Sequence, residues 1–277
     1  MAQFAIPAPS ARSVANRVLP RPDRGSLIRL GLALILPILL LIAWQLVSNA
    51  GIYTRGQLPA PIDVWRAAEQ LAARDQLLIQ VQVSFERVIR GFAFGSAIAI
   101  GLGLLIGLSR LAGYLIDPTI QAIRAIPSLA WVPLFVLWMG IGEQPKITLI
   151  AVGVFFPVYT NLVSGIRQID RKLVEAASAY GYRRFSLAWE VTLPAALPSL
   201  MTGLRLGLAQ GWLFLVAAEL IGASQGLGFL LVDGQNSGRA DIIMLSIILL
   251  AIAGKTTDVM LQHLEKRLLR WTDTVKV

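Results

Sequence analysis

Residues 175–194 read EAASAYGYRRFSLAWEVTLP and lie between two apolar runs, at about 147–166 and 200–221. Roughly 20 apolar residues cross the hydrocarbon core of a bilayer as a helix, so each run spans and the stretch between them is a loop. Within the loop, Asp170 is suited to cap a short helix carrying Glu175, Ala176 and Ala177. Gly181 can take the left-handed conformation that ends it. The alanines keep this helix thin enough to enter a partner's groove, and Glu175 presents a carboxylate to a basic partner residue. A second short helix follows, and Pro194 is expected to stop it as the chain turns back to the membrane.

Of 277 residues, 56% are hydrophobic and 15% charged, with a mean hydropathy of +0.66. That is more apolar surface than a soluble domain buries, and the chain reads as an all-α polytopic membrane protein. A formal charge of +9 would point a soluble protein toward nucleic acid. Here the basic residues fall in short loops and tails, where they set topology, and no nucleic-acid partner is expected. Cysteine is absent and His263 is the single histidine, so no disulfide framework, thiolate site or histidine cluster forms. No catalytic residue and no metal ligand is assigned.

Residues 1–29, rich in proline and arginine, form a cytoplasmic tail, and residues 30–50 a first membrane helix interrupted by Pro37. Ser48-Asn49-Ala50 could pass as a signal-peptidase site, but the length of the run and its long preceding tail favour an uncleaved helix. Residues 51–86 read as an external segment with an amphipathic surface helix over Val64 to Ser84. Residues 87–262 hold the remaining five of about six spans, with the loop of residues 167–199 among them, and 263–277 form a cytoplasmic tail. The second span, about 90–108, carries Gly91, Gly95, Ala99, Gly103 and Gly107 at four-residue steps. Small residues at this spacing let two helices approach closely, inside the subunit or against a second copy.

The third span, about 119–139, contains Arg124, Pro127, Ser128, Trp131 and Pro133, and its prolines predict a kink, lining a watery path or serving packing alone. The turn from Gly140 to Lys146 fits an external hairpin. Arg167, Arg171, Lys172, Arg183 and Arg184 follow the fourth span and place the loop inside, with both termini. The fifth span includes Arg205, Gln210, Trp212 and Glu219. Arg124 and Arg205 serve either as snorkelling or structurally paired cations or on an anion pathway, and Glu219 as a gate or packing contact. The glycine-rich external loop at 222–241 meets a substrate-delivering protein or is an ordinary turn with a re-entrant apolar piece. A sixth span, about 242–253, leads into the C-terminal helix.

The spacing Glu175-Ala176-Ala177, Gly181, Val191, Leu193, Pro194 resembles the cytoplasmic coupling loop of permease subunits of bacterial ATP-binding-cassette importers, with valine where isoleucine is commoner. LPAPIDVW (58–65) and RAIPSLAWVPLFVLWMGIGE (124–143) resemble the permeases for sulfonates, taurine, nitrate and related small anions. LPAALPSLMTGLRLGLAQGW (193–212) and GKTTDVMLQHLEKRLLRW (254–271) look most like aliphatic sulfonate permeases. The resemblance spans roughly residues 58–271. It implies a five-helix permease core in the bacterial cytoplasmic (inner) membrane, surrounded by lipid, and a partner set of a second permease copy, two cytoplasmic ATPase subunits and an external substrate-binding protein. ATP and Mg belong to the ATPase, with no cofactor on this chain, which is a transport subunit and not an enzyme. Arg124, Pro127, Ser128, Trp131, Arg205, Gln210, Trp212 and Glu219 are the candidates for the translocation path.

Three competing readings remain. The loop is an amphipathic connector without a partner; the chain is an ion-coupled secondary transporter; or it is a membrane scaffold that transports nothing. A secondary transporter is expected to show a mid-membrane acidic residue and repeated halves, and neither is seen. Gly254-Lys255-Thr256 resembles the end of a phosphate-binding loop, but that motif requires glycine where this chain has Leu249, so nucleotide binding is not expected.

Overall fold

The computed structural model describes residues 24–271, and among them helices and turns occur without strands. Two units are described separately, divided after Ile52. The first holds α1 (Arg24–Asn49), which contains Pro37. Leu36, Leu40 and Leu46 are exposed along it, an apolar surface suited to lipid. The expectations for residues 1–23 and 272–277 lie outside the described residues.

The second unit opens with α2 (Pro61–Ala72). Pro61 occupies the first turn, where an N–H has no helical partner to lose, and the Asp63 carboxylate accepts from the Ala60 amide at 3.2 Å. The amphipathic stretch at 64–84 is not one helix. It breaks at residues 73–75, where Asp75 has φ +56°, and Gln76 begins the 33-residue α3 (Gln76–Leu108). At 1.5 Å per residue α3 is roughly 50 Å long, well beyond the span expected from about residue 90.

Next come α4 (Arg110–Arg124), a 3₁₀ turn (Ser128–Trp131) and α5 (Val132–Met139), bent by 87° at the break. Pro127 has no N–H to continue the α4 ladder, whereas Pro133 sits in the first turn of α5, which tolerates it. The helix α6 (Glu143–Arg167) already includes Pro145 and Lys146, so the preceding turn is shorter than expected. The loop helices α7 (Arg171–Ala179) and α8 (Arg184–Leu187) lead through a π turn (Ala188–Thr192) into α9 (Leu193–Leu220). A short helix, α10 (Leu227–Asn236), then fills the glycine-rich loop, and α11 (Ala240–Leu268) completes the unit.

The core is α6 held between α3 and α9. Ile150, Val154, Val158, Tyr159 and Leu162 of α6 are fully buried, as expected of a helix apolar on every side. The small-residue stripe of α3 faces α6 within the same chain. A Cβ on Gly91 would lie 2.5 Å from the Ile150 side chain, and one on Gly107 would lie 2.5 Å from Ile166. On the other flank, Gly203 and Gly207 admit the backbone of α6 at Pro157, Val158 and Val154. With lipid on the outside there is no hydrophobic driving force between helices, so this close approach supplies the attraction. Gln76–Leu108, Glu143–Arg167, Ala188–Leu220 and Ala240–Leu268 are each long and apolar enough to cross a membrane, and the bent α4–α5 pair is a fifth candidate.

Candidate functional site

The exposed loop between α6 and α9 is fastened by its own local chemistry. Asp170 accepts the Lys172 amide at 2.8 Å at the start of α7. At the other end, the Tyr182 amide donates to Ala177 O and the Gly181 amide to Ser178 O, both at 3.1 Å. This paired arrangement places a left-handed residue just after the helix, and Gly181 supplies it with φ +92°. Ala177 is buried, while Leu173, Glu175, Ala176 and Tyr180 are exposed. The Glu175 carboxylate is not idle, because Arg171 donates to it at 2.7 Å within α7. Ser186 receives the Arg183 amide at 3.0 Å and so caps α8.

Pro194 does not stop the second helix. It lies in the first turn of α9, and the preceding π turn passes the Leu193 amide back to Ala188 O. The looser turn takes up the register around a residue with no N–H to donate, so helix continues from Arg184 to Leu220. Val191 and Leu193 lie within that continuous segment.

The candidate path residues do not converge on one point. Arg124 is exposed in the last turn of α4, its guanidinium 3.5 Å from the Gln121 amide oxygen. Pro127, Ser128 and Trp131 lie at the bend, and Trp131 stacks on Phe135 with ring centroids 6.2 Å apart. Arg205 reaches across to α11, 3.3 Å from both Asp258 and Glu265. Trp212 on the same flank donates its indole N–H to Thr257 Oγ1 at 2.9 Å. These contacts tie α9 to α11. Gln210 is exposed.

Glu219 belongs to a different group. The residue is 1% exposed, and its carboxylate accepts from Ser84 Oγ, Arg87 Nη1 and the Gly228 amide, each at 2.7 Å. Arg87 also binds Glu143 through two 2.6 Å bonds and the Gln225 carbonyl at 2.6 Å. Ser84 Oγ in turn accepts the Leu227 amide at 2.7 Å, and Gln80 Oε1 the Gly226 amide at 2.5 Å. Gly226 has φ +122°, and the amides at the start of α10 are therefore satisfied by side chains from α3 and α9. Among the described residues, buried side-chain polar atoms all have partners.

Gln80, Ser84, Arg87, Glu143 and Lys146 are not among the candidate site residues that the sequence pointed to. A signal existed: Ser84 and Arg87 continue the Gly91–Gly107 stripe toward the N-terminus at helical spacing, which puts them on the packed face. A second missed cluster joins α4 to α6, where Asp117 accepts from Tyr159 Oη at 2.7 Å and pairs with Arg167 at 2.9 Å.

Apolar spans around a small-residue core, joined by an exposed loop capped at both ends, are the architecture of a polytopic helical membrane protein. The chain belongs to the family described as binding-protein-dependent transport system inner membrane component, whose pattern matches residues 98–270. The proteins named as aliphatic sulfonates transport permease SsuC are 37% identical over 87% of this chain and 87% of the relative in Bacillus subtilis (strain 168). In Escherichia coli (strain K12) the figures are 42%, 85% and 90%. The taurine transport system permease protein TauC of Escherichia coli (strain K12) is 34% identical over 86% of this chain and 88% of its own length. The fold is that of a chain in the inward-facing MetNI methionine ABC transporter, with TM-score 0.60 and 23% identity over 73% of this chain and 99% of that one. The protein is thus a permease component of an ABC importer, a transport subunit.

Proposed function

We propose that this chain is the membrane permease of an ATP-driven importer of aliphatic sulfonates in the bacterial cytoplasmic membrane. Two copies assemble with two cytoplasmic ATPase subunits, which bind ATP and Mg, and an external binding protein delivers the substrate. In this reading α1 is a sixth span, both termini and the α7–α8 loop are cytoplasmic, and α10 lies outside. The observation that carries the coupling role is α7, capped at both ends by the chain itself yet exposing Leu173, Glu175 and Tyr180 between two spans. A push on α7 passes into α6 through a three-residue turn, and into α9 through the four residues 180–183 and the continuous helix that begins at Arg184. It thereby shifts the spans between outward- and inward-facing states.

Greater identity to the two SsuC proteins than to TauC supports the sulfonate reading. Taurine and nitrate are the second reading, since a nitrate import permease of Synechocystis is also 30% identical. The test is uptake of a labelled short-chain alkanesulfonate in cells with and without the gene, with taurine and nitrate as competitors. Gene-dependent uptake displaced only by other alkanesulfonates supports the proposal, displacement by taurine or nitrate redraws the specificity, and no gene-dependent uptake removes the substrate assignment.

A further inference from the structure

Between α5, α6 and the end of α9 lies a cavity of about 140 Å³. Its walls include Val132, Phe135, Val136, Leu149 and Ala218, and among the described residues that line it Lys146 alone is charged. The Lys146 side chain is only 9% exposed. Its ammonium donates to Glu143 Oε1 at 3.1 Å, while Glu143 receives two shorter 2.6 Å bonds from Arg87. An ammonium carries three N–H donors, and one is taken up by Glu143. The carboxylate is committed mainly to Arg87. Glu143 and Glu219 balance Arg87 and Lys146 in charge, so what Lys146 offers is its two remaining N–H donors, which beside an apolar hollow suit the oxygens of a ligand with an apolar tail.

We infer that this cavity is a substrate subsite, in which Lys146 binds the sulfonate oxygens and the walls of α5, α6 and α9 enclose the alkyl chain. The inference rests on the proposed sulfonate specificity and deepens it. An apolar cavity of about 150 Å³ holds a benzene molecule, so the hollow accommodates a chain of about four to six carbons. Nitrate has no tail to place there, and the ammonium of taurine finds an apolar wall. The subsite is separate from Arg124 and Arg205, and the second of these is occupied by its own carboxylates.

The experiment measures maximal uptake of methane-, butane-, hexane- and octanesulfonate by the complete transporter, at concentrations that saturate the external binding protein. Ala218→Leu narrows the cavity and is expected to lower the hexanesulfonate rate about tenfold or more, leaving methanesulfonate within about twofold. Val136→Ala widens it and shifts the preferred chain length upward. Lys146→Gln lowers the rate for every chain length by about tenfold, and Lys146→Arg restores most of it. The amount of copurified ATPase controls for assembly. The inference is overturned if the two cavity variants change all chain lengths alike, or if Lys146→Gln leaves every rate intact. Normal wild-type uptake with an untouched length profile in the variants removes the subsite alone. Absence of alkanesulfonate uptake by the wild type removes the substrate reading and the subsite with it.

Discussion

Glu219 illustrates how much depends on where a single carboxylate is buried. A charge in an apolar interior is expensive unless paired and hydrogen-bonded, and here three donors at 2.7 Å meet it. Replacing Glu219 by alanine leaves Arg87, whose side chain is 4% exposed, and Lys146 to share the single carboxylate of Glu143, so one buried positive charge is left uncompensated. The expected loss is about 3–5 kcal/mol of stability, read from thermal unfolding of the purified protein. The double change Arg87→Met with Glu219→Leu should recover a large part of it, because no uncompensated charge remains. Gly181 is a second single-residue determinant. A β-branched side chain at φ +92° strains the end of α7, by about 1–2 kcal/mol or more. Gly181→Val is therefore expected to reduce ATPase copurification and uptake sharply, while Gly181→Asn, which tolerates this conformation, retains both. Copurification and transport at wild-type levels in Gly181→Val would sink the coupling assignment.

Between elements, the decisive contact is the α3–α6 crossing. A Cβ at Gly95 would collide with the backbone of Ala151, which cannot move aside as a flexible side chain does. Gly101, on the same helix, has nothing within 4 Å of the corresponding position. Gly95→Ala is thus expected to lower the unfolding temperature, and Gly101→Ala to leave it unchanged or raise it, since alanine is favoured over glycine in a helix by about 1 kcal/mol. Equal effects of the two substitutions would show that the crossing is not tightly packed. The bent α4–α5 pair is a different kind of element: its two arms are joined by residues 125–127, and one arm forms a wall of the cavity that contains Lys146.

For the whole molecule, the proposed topology sets α7 and α10 on opposite sides of the membrane. The chain has no cysteine, so a single introduced thiol reports its own location without background. Ser178→Cys on α7 should react with a membrane-impermeant maleimide only when the cytoplasmic side is opened, and Asn236→Cys at the end of α10 should react in intact cells. Both positions are exposed. Labelling of both from the same side would overturn the arrangement, whatever the substrate proves to be.

What the sequence determined by itself is local. The spans follow from runs of apolar residues, and the caps of α7 follow from Asp170 and Gly181, whose bonds close within five residues along the chain. The stripe of small residues in α3 was readable as a packing face, because helical periodicity alone puts those positions together. Tertiary structure decided which helix that face meets and which polar groups find each other. Ser84 reaches Glu219 across 135 residues, Arg87 reaches Glu143 across 56, and Arg205 reaches Glu265 across 60. A charged residue in a span states only that it needs a partner. The partner is chosen by the crossing of α3, α6 and α9, and that crossing is set by close packing of surfaces brought together only in the fold.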